Sequence, residues 1–495
     1  MGIDAGRIDS LVERVLKRLE QEGAVPSAGA PPAPAASAAS PRPGGRARPS
    51  GGSGRGPVFE TVDQAASAAR QAFLDLGETT LETRDRMIAA VRQAVETHVD
   101  EISRLAREET GLGRTEDKVR KNRLVARKTP GTEILAPYAK SGDHGLTLEE
   151  RAPYGVIVSV TPSTNPTETV INNGIGMLAG GNATIFAPHP GARAVSLRIV
   201  ELLDQAVQDA GGPPNVFTTI AEPSIEATQA LMRHEKVRLL VVTGGGGVVK
   251  EAMSVGKRAI TAGPGNPPVV VDTTADLDRA AHGIYYGASL DNNIICTDEK
   301  EVVAVDRVAP DLVKRMVAQG AYELKGRELD RVRKTVLKEE KGPRKRAVVN
   351  RELIGKDAGV ILEAAGIQGP KDTRLLVAQV DDGHPFLWTE MMMPVIGVAS
   401  ARDVDTAIDF AFELEGGCFH TASMYSRNIE KLSRMARVCD CSIFVKNGPN
   451  YNGLGEGGEG HTSFTIASPT GEGMTTAVSF TRIRRCALID SFRIV

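Results

Sequence analysis

Between residues 155 and 446 the chain keeps repeating one unit: a short run rich in Val, Ile and Thr, then a longer segment with helical spacing. The runs fall at 155–160, 183–187, 215–220, 237–243 and 268–272, and again at 301–306, 375–380, 395–399, 421–426 and 442–446. Strands separated by helices cannot close as hairpins. They must cross over into parallel sheets covered by helices on both faces. Two such series predict two α/β lobes with a cleft between them. Residues 58–130 carry no such run and are dense in Ala, Glu, Arg and Leu, which predicts helices there.

Composition narrows the function classes. The 495 residues include 60 Lys plus Arg against 62 Asp plus Glu, a formal net charge of -2. That balance argues against nucleic acid or an anionic membrane as the main partner. No apolar run approaches the ~20 residues of a membrane-spanning helix. The five cysteines form no C-x-x-C pair, so neither a disulfide framework nor a metal site is expected, and a reducing compartment is. Cys418 and Cys441 sit in apolar or strand-like contexts and read as core. Cys439 and Cys486 flank charged residues.

The N-terminal part is different. Gly, Pro, Ala and Ser make up 30 of the 35 residues from 23 to 57. Such a stretch buries too little apolar surface to order itself, and it reads as a disordered linker. Before it, in residues 1–22, Ile8, Leu11, Val12, Val15, Leu16 and Leu19 share one helical face. A short helix on a long tether suits a groove on another protein, or it packs back on its own domain.

Two places could carry chemistry. The run 237–242 leads into Thr243 and then Gly244, Gly245, Gly246 and Gly247. A strand running through glycines into a helix lets backbone approach a cofactor at the helix N-terminus; a tight turn without a ligand has the same pattern. Cys296 follows Leu290-Asp-Asn-Asn-Ile-Ile and lies between a helical stretch and a strand. From chemistry alone it is either an activated nucleophile or a structural thiol.

Four ordered segments decide between these readings: Thr161-Pro-Ser-Thr-Asn-Pro166, Asn292-Asn-Ile-Ile-Cys296, Glu390-Met-Met-Met-Pro394, and Gly457-Gly-Glu-Gly-His461 continuing through Pro469-Thr-Gly-Glu-Gly473 to Arg484-Arg-Cys486. Together they resemble the aldehyde dehydrogenase superfamily, in particular the CoA-acylating branch found in bacterial microcompartments. The resemblance implies an α/β aldehyde dehydrogenase-like fold, with two parallel-sheet Rossmann-type lobes and a small β oligomerisation extension. It implies a cofactor- and CoA-binding domain over 58–266, with 140–154 in the extension, a catalytic domain over 267–474 and an oligomerisation strand over 475–495. Cys296 becomes the nucleophile that forms a thioester. Asn165, with Thr164 beside it, becomes the amide donor to the oxyanion. Glu390 holds the nicotinamide ribose. His420, in a Gly-x-His-Thr-type segment, either helps deprotonate CoA or positions the aldehyde. Pro162, His189, Thr243, Gly244 and Gly245 wall a pocket that the cofactor and CoA use in turn.

One departure from the hydrolytic branch is chemically specific. Those relatives carry Glu-Leu-Gly-Gly-Lys upstream of the nucleophile, whose Glu activates water. Here the corresponding run is Thr261-Ala-Gly-Pro-Gly-Asn266, and no carboxylate lies between Arg258 and Val271. Without a general base, water attacks a thioester slowly, whereas a thiol ionises more readily. The expected reaction is therefore a short aldehyde, propanal ahead of acetaldehyde, plus NAD (NADP remaining open) and CoA giving acyl-CoA and reduced cofactor. Its rivals are a hydrolytic aldehyde dehydrogenase and a catalytically silent scaffold that binds shell proteins. The resemblance further implies a homodimer or homotetramer, residing in the cytoplasm inside a protein-shelled microcompartment and docked to shell proteins through the N-terminal helix. If that helix is a docking tag, Leu11→Glu with Leu16→Glu abolishes encapsulation, scored by co-purification with shells, and leaves activity intact. Activity falling together with localisation would show that the helix packs on its own enzyme.

Overall fold

The computed structural model describes residues 56–494, so the helix expected at 1–22 and almost all of the 23–57 linker lie outside the described residues. Each of the ten β-branched runs contains a strand. The first five enter a six-stranded parallel sheet, except that Pro268–Val271 joins the second sheet. The six lie in the order Val58–Phe59, Phe217–Ile220, Ala183–Pro188, Val156–Thr161, Val237–Thr243, Arg258–Ala262. After the edge strand Val58–Phe59 the chain enters the middle of the sheet at Val156–Thr161, steps outward one way and then returns to step outward the other way. That reversal opens a crevice beyond the carboxyl ends of the central strands, where open α/β sheets bind ligands.

The second sheet has seven parallel strands: Tyr322–Glu323, Leu376–Gln379, Val395–Ala401, Glu301–Val305, Pro268–Val271, Thr421–Tyr425 and Ile443–Lys446. Central strands of both sheets are buried on both faces, which is why they read as unbroken apolar runs rather than alternating ones. The strands that periodicity did not single out are the two-residue edges Val58–Phe59 and Tyr322–Glu323 and the half-covered Arg258–Ala262. Helix Arg327–Val336 is followed by a small hairpin, Leu337–Glu339 against Val348–Val349.

Helix Leu81–Thr110 is capped by the Thr80 side chain and stops at Gly111, whose φ of 67° is the left-handed conformation glycine adopts freely. The next helix, Thr115–Lys128, buries an unusual face: Asp117, Lys118, Lys121 and Asn122 are closed from solvent along with Leu124 and Val125. Asp117, Lys118 and Lys121 lie beneath the site described below, whereas Asn122 donates to Ser103 Oγ of the preceding helix at 3.0 Å.

A third sheet is antiparallel and largely exposed: Tyr138–Gly142, Gly145–Pro153 and Thr481–Ile489. Asn182 anchors its root. The Asn182 Oδ1 accepts from the backbone N–H groups of Tyr154 and Gly155, and its Nδ2 donates to the carbonyls of Met177 and Phe480.

The cysteines correct one expectation. Cys439 is the buried one, because it continues the Leu432, Met435 face of helix Ile429–Cys439; Cys418 and Cys441 are only half-buried, and Cys486 is exposed. Among the described residues, no helix is long and apolar enough to cross a membrane. Asn182→Ala would leave buried N–H and C=O groups unpaired at the root of the third sheet, costing on the order of 3 kcal/mol. A lowered urea midpoint checks this; an unchanged midpoint would mean the anchor is redundant.

Candidate active site

The nucleophile's loop begins with a turn that few sequences can make. Asp291, Asn292 and Asn293 have φ of 45°, 55° and 63°. Asp and Asn are the non-glycine residues that best tolerate this left-handed region. Each of the three also spends its side chain on holding the turn. Asn292 Nδ2 donates to Gly355 O and Asp357 Oδ1, both at 2.9 Å. Asn293 Nδ2 donates to the carbonyls of Ala288 (3.0 Å) and Glu299 (2.8 Å). Asp291 accepts from the Arg114 N–H at 2.6 Å and pairs with the ammoniums of Lys118 (3.0 Å) and Lys121 (2.6 Å). Further along, Lys300 donates to Asn293 O and Oδ1, both at 2.7 Å, and to Ile295 O at 3.1 Å. The backbone carrying Cys296 is thus held at both ends by buried cations.

Asn165 precedes helix Pro166–Ala179 and lies beside this loop. Its Oδ1 accepts from Lys121 Nζ at 2.6 Å, and its Nδ2 reaches Thr164 Oγ1 at 3.3 Å. Lys121 also pairs with Glu168 at 3.0 Å. Burial raises the Asp291 carboxyl, but the two ammoniums outweigh it and hold the group below its ordinary value. Burial likewise opposes the Lys121 charge, yet Asp291 and Glu168 keep that ammonium above its usual range.

A cavity of about 890 Å³ opens over these residues, between the carboxyl ends of the six-stranded sheet and the Cys296 loop. Its wall includes Pro162, Asn165, His189, Thr243, Gly244, Gly245, Cys296 and Glu390, eight of the nine residues expected at the site. A Cβ built on Gly245, Gly246 or Gly247 would meet nothing within 4 Å, so the backbone at the start of helix Gly246–Ser254 stands open to a ligand. The Thr243 hydroxyl is tied to Thr465 at 2.8 Å, and His189 accepts from the Gly191 N–H at 3.0 Å. Ile294, Ile295, Leu454 and Phe464 give the part near Cys296 an apolar lining. Ala262, Gly263 and Pro264 form the wall where a water-activating carboxylate would stand in hydrolytic relatives.

His420, the ninth residue, is not on that wall. Its Nδ1 shares a 2.9 Å hydrogen bond with Thr421 Oγ1, and its Nε2 has no protein partner. Gly265 stands between it and the nucleophile: a Cβ at Gly265 would lie 2.9 Å from both Cys296 O and His420 Cγ. Burial, with the Lys300 charge, pushes the imidazole down to about 4, so it is neutral. Burial and then the Glu390 charge push the Cys296 thiol up to about 12. Glu390 is itself raised by burial, against Lys300 and a hydrogen bond from the Gly265 N–H.

The aldehyde dehydrogenase family model matches residues 59–475. This chain belongs to the aldehyde dehydrogenase family. It is 51% identical over 441 residues to the acetylating acetaldehyde dehydrogenase EutE of Salmonella typhimurium, covering 88% of this chain and 93% of that one. A Rhodopseudomonas palustris propionaldehyde dehydrogenase, solved with bound CoA and an acylated cysteine, superposes with a TM-score of 0.85 at 45% identity, covering 88% of this chain and 98% of that one. A propionaldehyde dehydrogenase from the Clostridium phytofermentans fucose utilisation bacterial microcompartment gives a TM-score of 0.86 at 42% identity, covering 89% and 100%. The expected aldehyde dehydrogenase-like α/β fold is borne out.

Sequence reading missed the charges under the site: Lys118, Lys121, Glu168, Asp291 and Lys300. The available signal was spacing. Lys118 and Lys121 share a helical face with Leu124 and Val125, so they point into the protein rather than to solvent.

A thiol held near 12 is protonated at neutral pH, so its thiolate fraction grows about tenfold per pH unit between 7 and 9. Alkylation of Cys296 by iodoacetamide, followed by peptide mass, should rise in step over that window. Glu390→Gln removes a carboxylate that raises the thiol and should shift the profile to lower pH. A plateau below pH 9 in the unmodified protein would contradict this electrostatic picture.

Proposed function

We propose that this chain is a CoA-acylating aldehyde dehydrogenase that turns a short aliphatic aldehyde, NAD(P) and CoA into acyl-CoA and reduced cofactor through a thioester on Cys296. The observation that carries the reading is a cysteine in an apolar-lined cavity whose facing wall, Ala262-Gly263-Pro264, has no carboxylate to activate water. Cys296 gives up its proton to solvent, the small thiolate fraction so formed adds to the aldehyde carbon, and the oxyanion is met by the Asn165 Nδ2–H and by backbone N–H at Cys296. Bound NAD(P) supplies the hydride acceptor. Glu390 would hold its ribose, and the glycine turn from Gly244, open at Gly245, would take its phosphates. Loss of hydride from the tetrahedral adduct leaves the acyl group on Cys296. The CoA thiolate then adds to that carbonyl, and the Cys296 thiolate departs. His420, neutral and behind Gly265, backs the segment that packs on Cys296.

Propanal and acetaldehyde both suit the short apolar pocket formed by Ile294, Ile295, Leu454 and Phe464; 51% identity to an acetylating enzyme is the argument for acetaldehyde. The exposed strand Thr481–Ile489, paired on one side only, supports a homodimer or homotetramer through this edge. Similarity to a microcompartment enzyme, together with the apolar face at Ile8–Leu19, supports encapsulation as cargo. Purified protein given propanal or acetaldehyde and NAD should form NADH continuously only when CoA is added, with the matching acyl-CoA found by mass, and Cys296→Ala should abolish both. Continuous formation of the free acid without CoA would overturn the acylating reading. NADH that survives Cys296→Ala would overturn the assignment of the nucleophile.

A further inference from the structure

We infer that Lys121 is a positioning residue for the oxyanion: it fixes which end of the Asn165 amide faces the reacting carbonyl. The inference rests on the proposed role of Asn165 as oxyanion donor. An amide side chain has two ends of nearly the same shape, one accepting and one donating. Only a partner that distinguishes them prevents the acceptor end from turning toward a developing negative charge, where it would repel rather than stabilise.

Lys121 is such a partner. An ammonium donates and never accepts, so the atom 2.6 Å from Lys121 Nζ must be the Asn165 oxygen. The lysine is fully closed from solvent, and water cannot take its place. Its charge is secured on the far side by Asp291 at 2.6 Å and Glu168 at 3.0 Å. With Oδ1 so held, Nδ2 points the other way, its protein contact being the long 3.3 Å approach to Thr164 Oγ1. Asp291 belongs to the turn that carries Cys296. One ammonium therefore spans the two parts of the oxyanion site, the side-chain amide and the nucleophile loop.

The neighbouring lysine makes the inference separable from a general structural role. Lys118 also pairs with Asp291, at 3.0 Å, but its other contact is Thr164 O at 3.4 Å and not the Asn165 amide. Without Lys121 the turn keeps a cationic partner, whereas Asn165 loses the group that sets its orientation.

The test is Lys121→Met, alone and with Asn165→Ala. The expected loss of kcat for NADH formation is about a hundredfold, the scale of removing one oxyanion donor. KM for the aldehyde should stay within about threefold, because the amide acts on the transition state. Iodoacetamide alkylation of Cys296, which forms no oxyanion, should also stay within about threefold of the unmodified rate. In the Asn165→Ala background, Lys121→Met should lower kcat by less than about threefold more, since both changes remove one function. If the single variant does not accumulate folded, adding Glu168→Gln removes a carboxylate left unpaired and carries the same measurements. Unchanged kcat in Lys121→Met, alkylation falling in parallel with kcat, or full multiplication of the two losses would each overturn the inference. Asn165→Ala with unaltered kcat would instead sink the oxyanion assignment beneath it, which the inference needs.

Discussion

Asp291, with two buried ammoniums against it, is the interaction on which the site depends. Three consecutive left-handed residues lead toward Cys296, and a chain does not hold such a turn without compensation. Asp291 supplies it by accepting from Arg114 and pairing with Lys118 and Lys121, and its own N–H donates to Asp117. Stripping a buried ion of every partner costs about 3–5 kcal/mol, and two ammoniums leave Asp291 one cation if the other is lost. The cluster also sets distances between elements far apart in sequence. Helix Thr115–Lys128, the Asn165 cap and the Cys296 loop meet at these charges.

The surroundings of Cys296 determine which acceptor finishes the reaction. Burial and then the Glu390 charge disfavour the free thiolate of Cys296, so the resting thiol is protonated. Once acylated, the same cysteine faces a wall of Ala262, Gly263 and Pro264 that offers water no base. CoA brings a sulfur nucleophile of its own.

The parts of this architecture written in local periodicity were legible in the sequence. Val156–Thr161, Val237–Thr243 and Glu301–Val305 announce themselves as buried parallel strands because both faces are apolar. Residues carried by motifs were legible too: eight of the nine expected site residues share one cavity wall. His420 was placed in the right neighbourhood but behind Gly265, since a motif records proximity along the chain and not which layer faces the ligand. The buried lysines were missed because charge normally marks a solvated face, and only tertiary pairing with Asp291 and Glu168 reverses that rule. Cys439 shows the same limit: only its flanking charges were read, while the helical phase set by Leu432 and Met435 turns it inward.

The most direct measurement is the lifetime of the acyl-enzyme. Protein mixed with propanal and NAD in the absence of CoA, then followed by intact mass, should give one NADH per active site and a stable propanoyl adduct on Cys296, discharged at once when CoA is added. An adduct that disappears in buffer as fast as it does with CoA, with steady release of propanoate, would contradict the account, because it would mean that the site activates water after all.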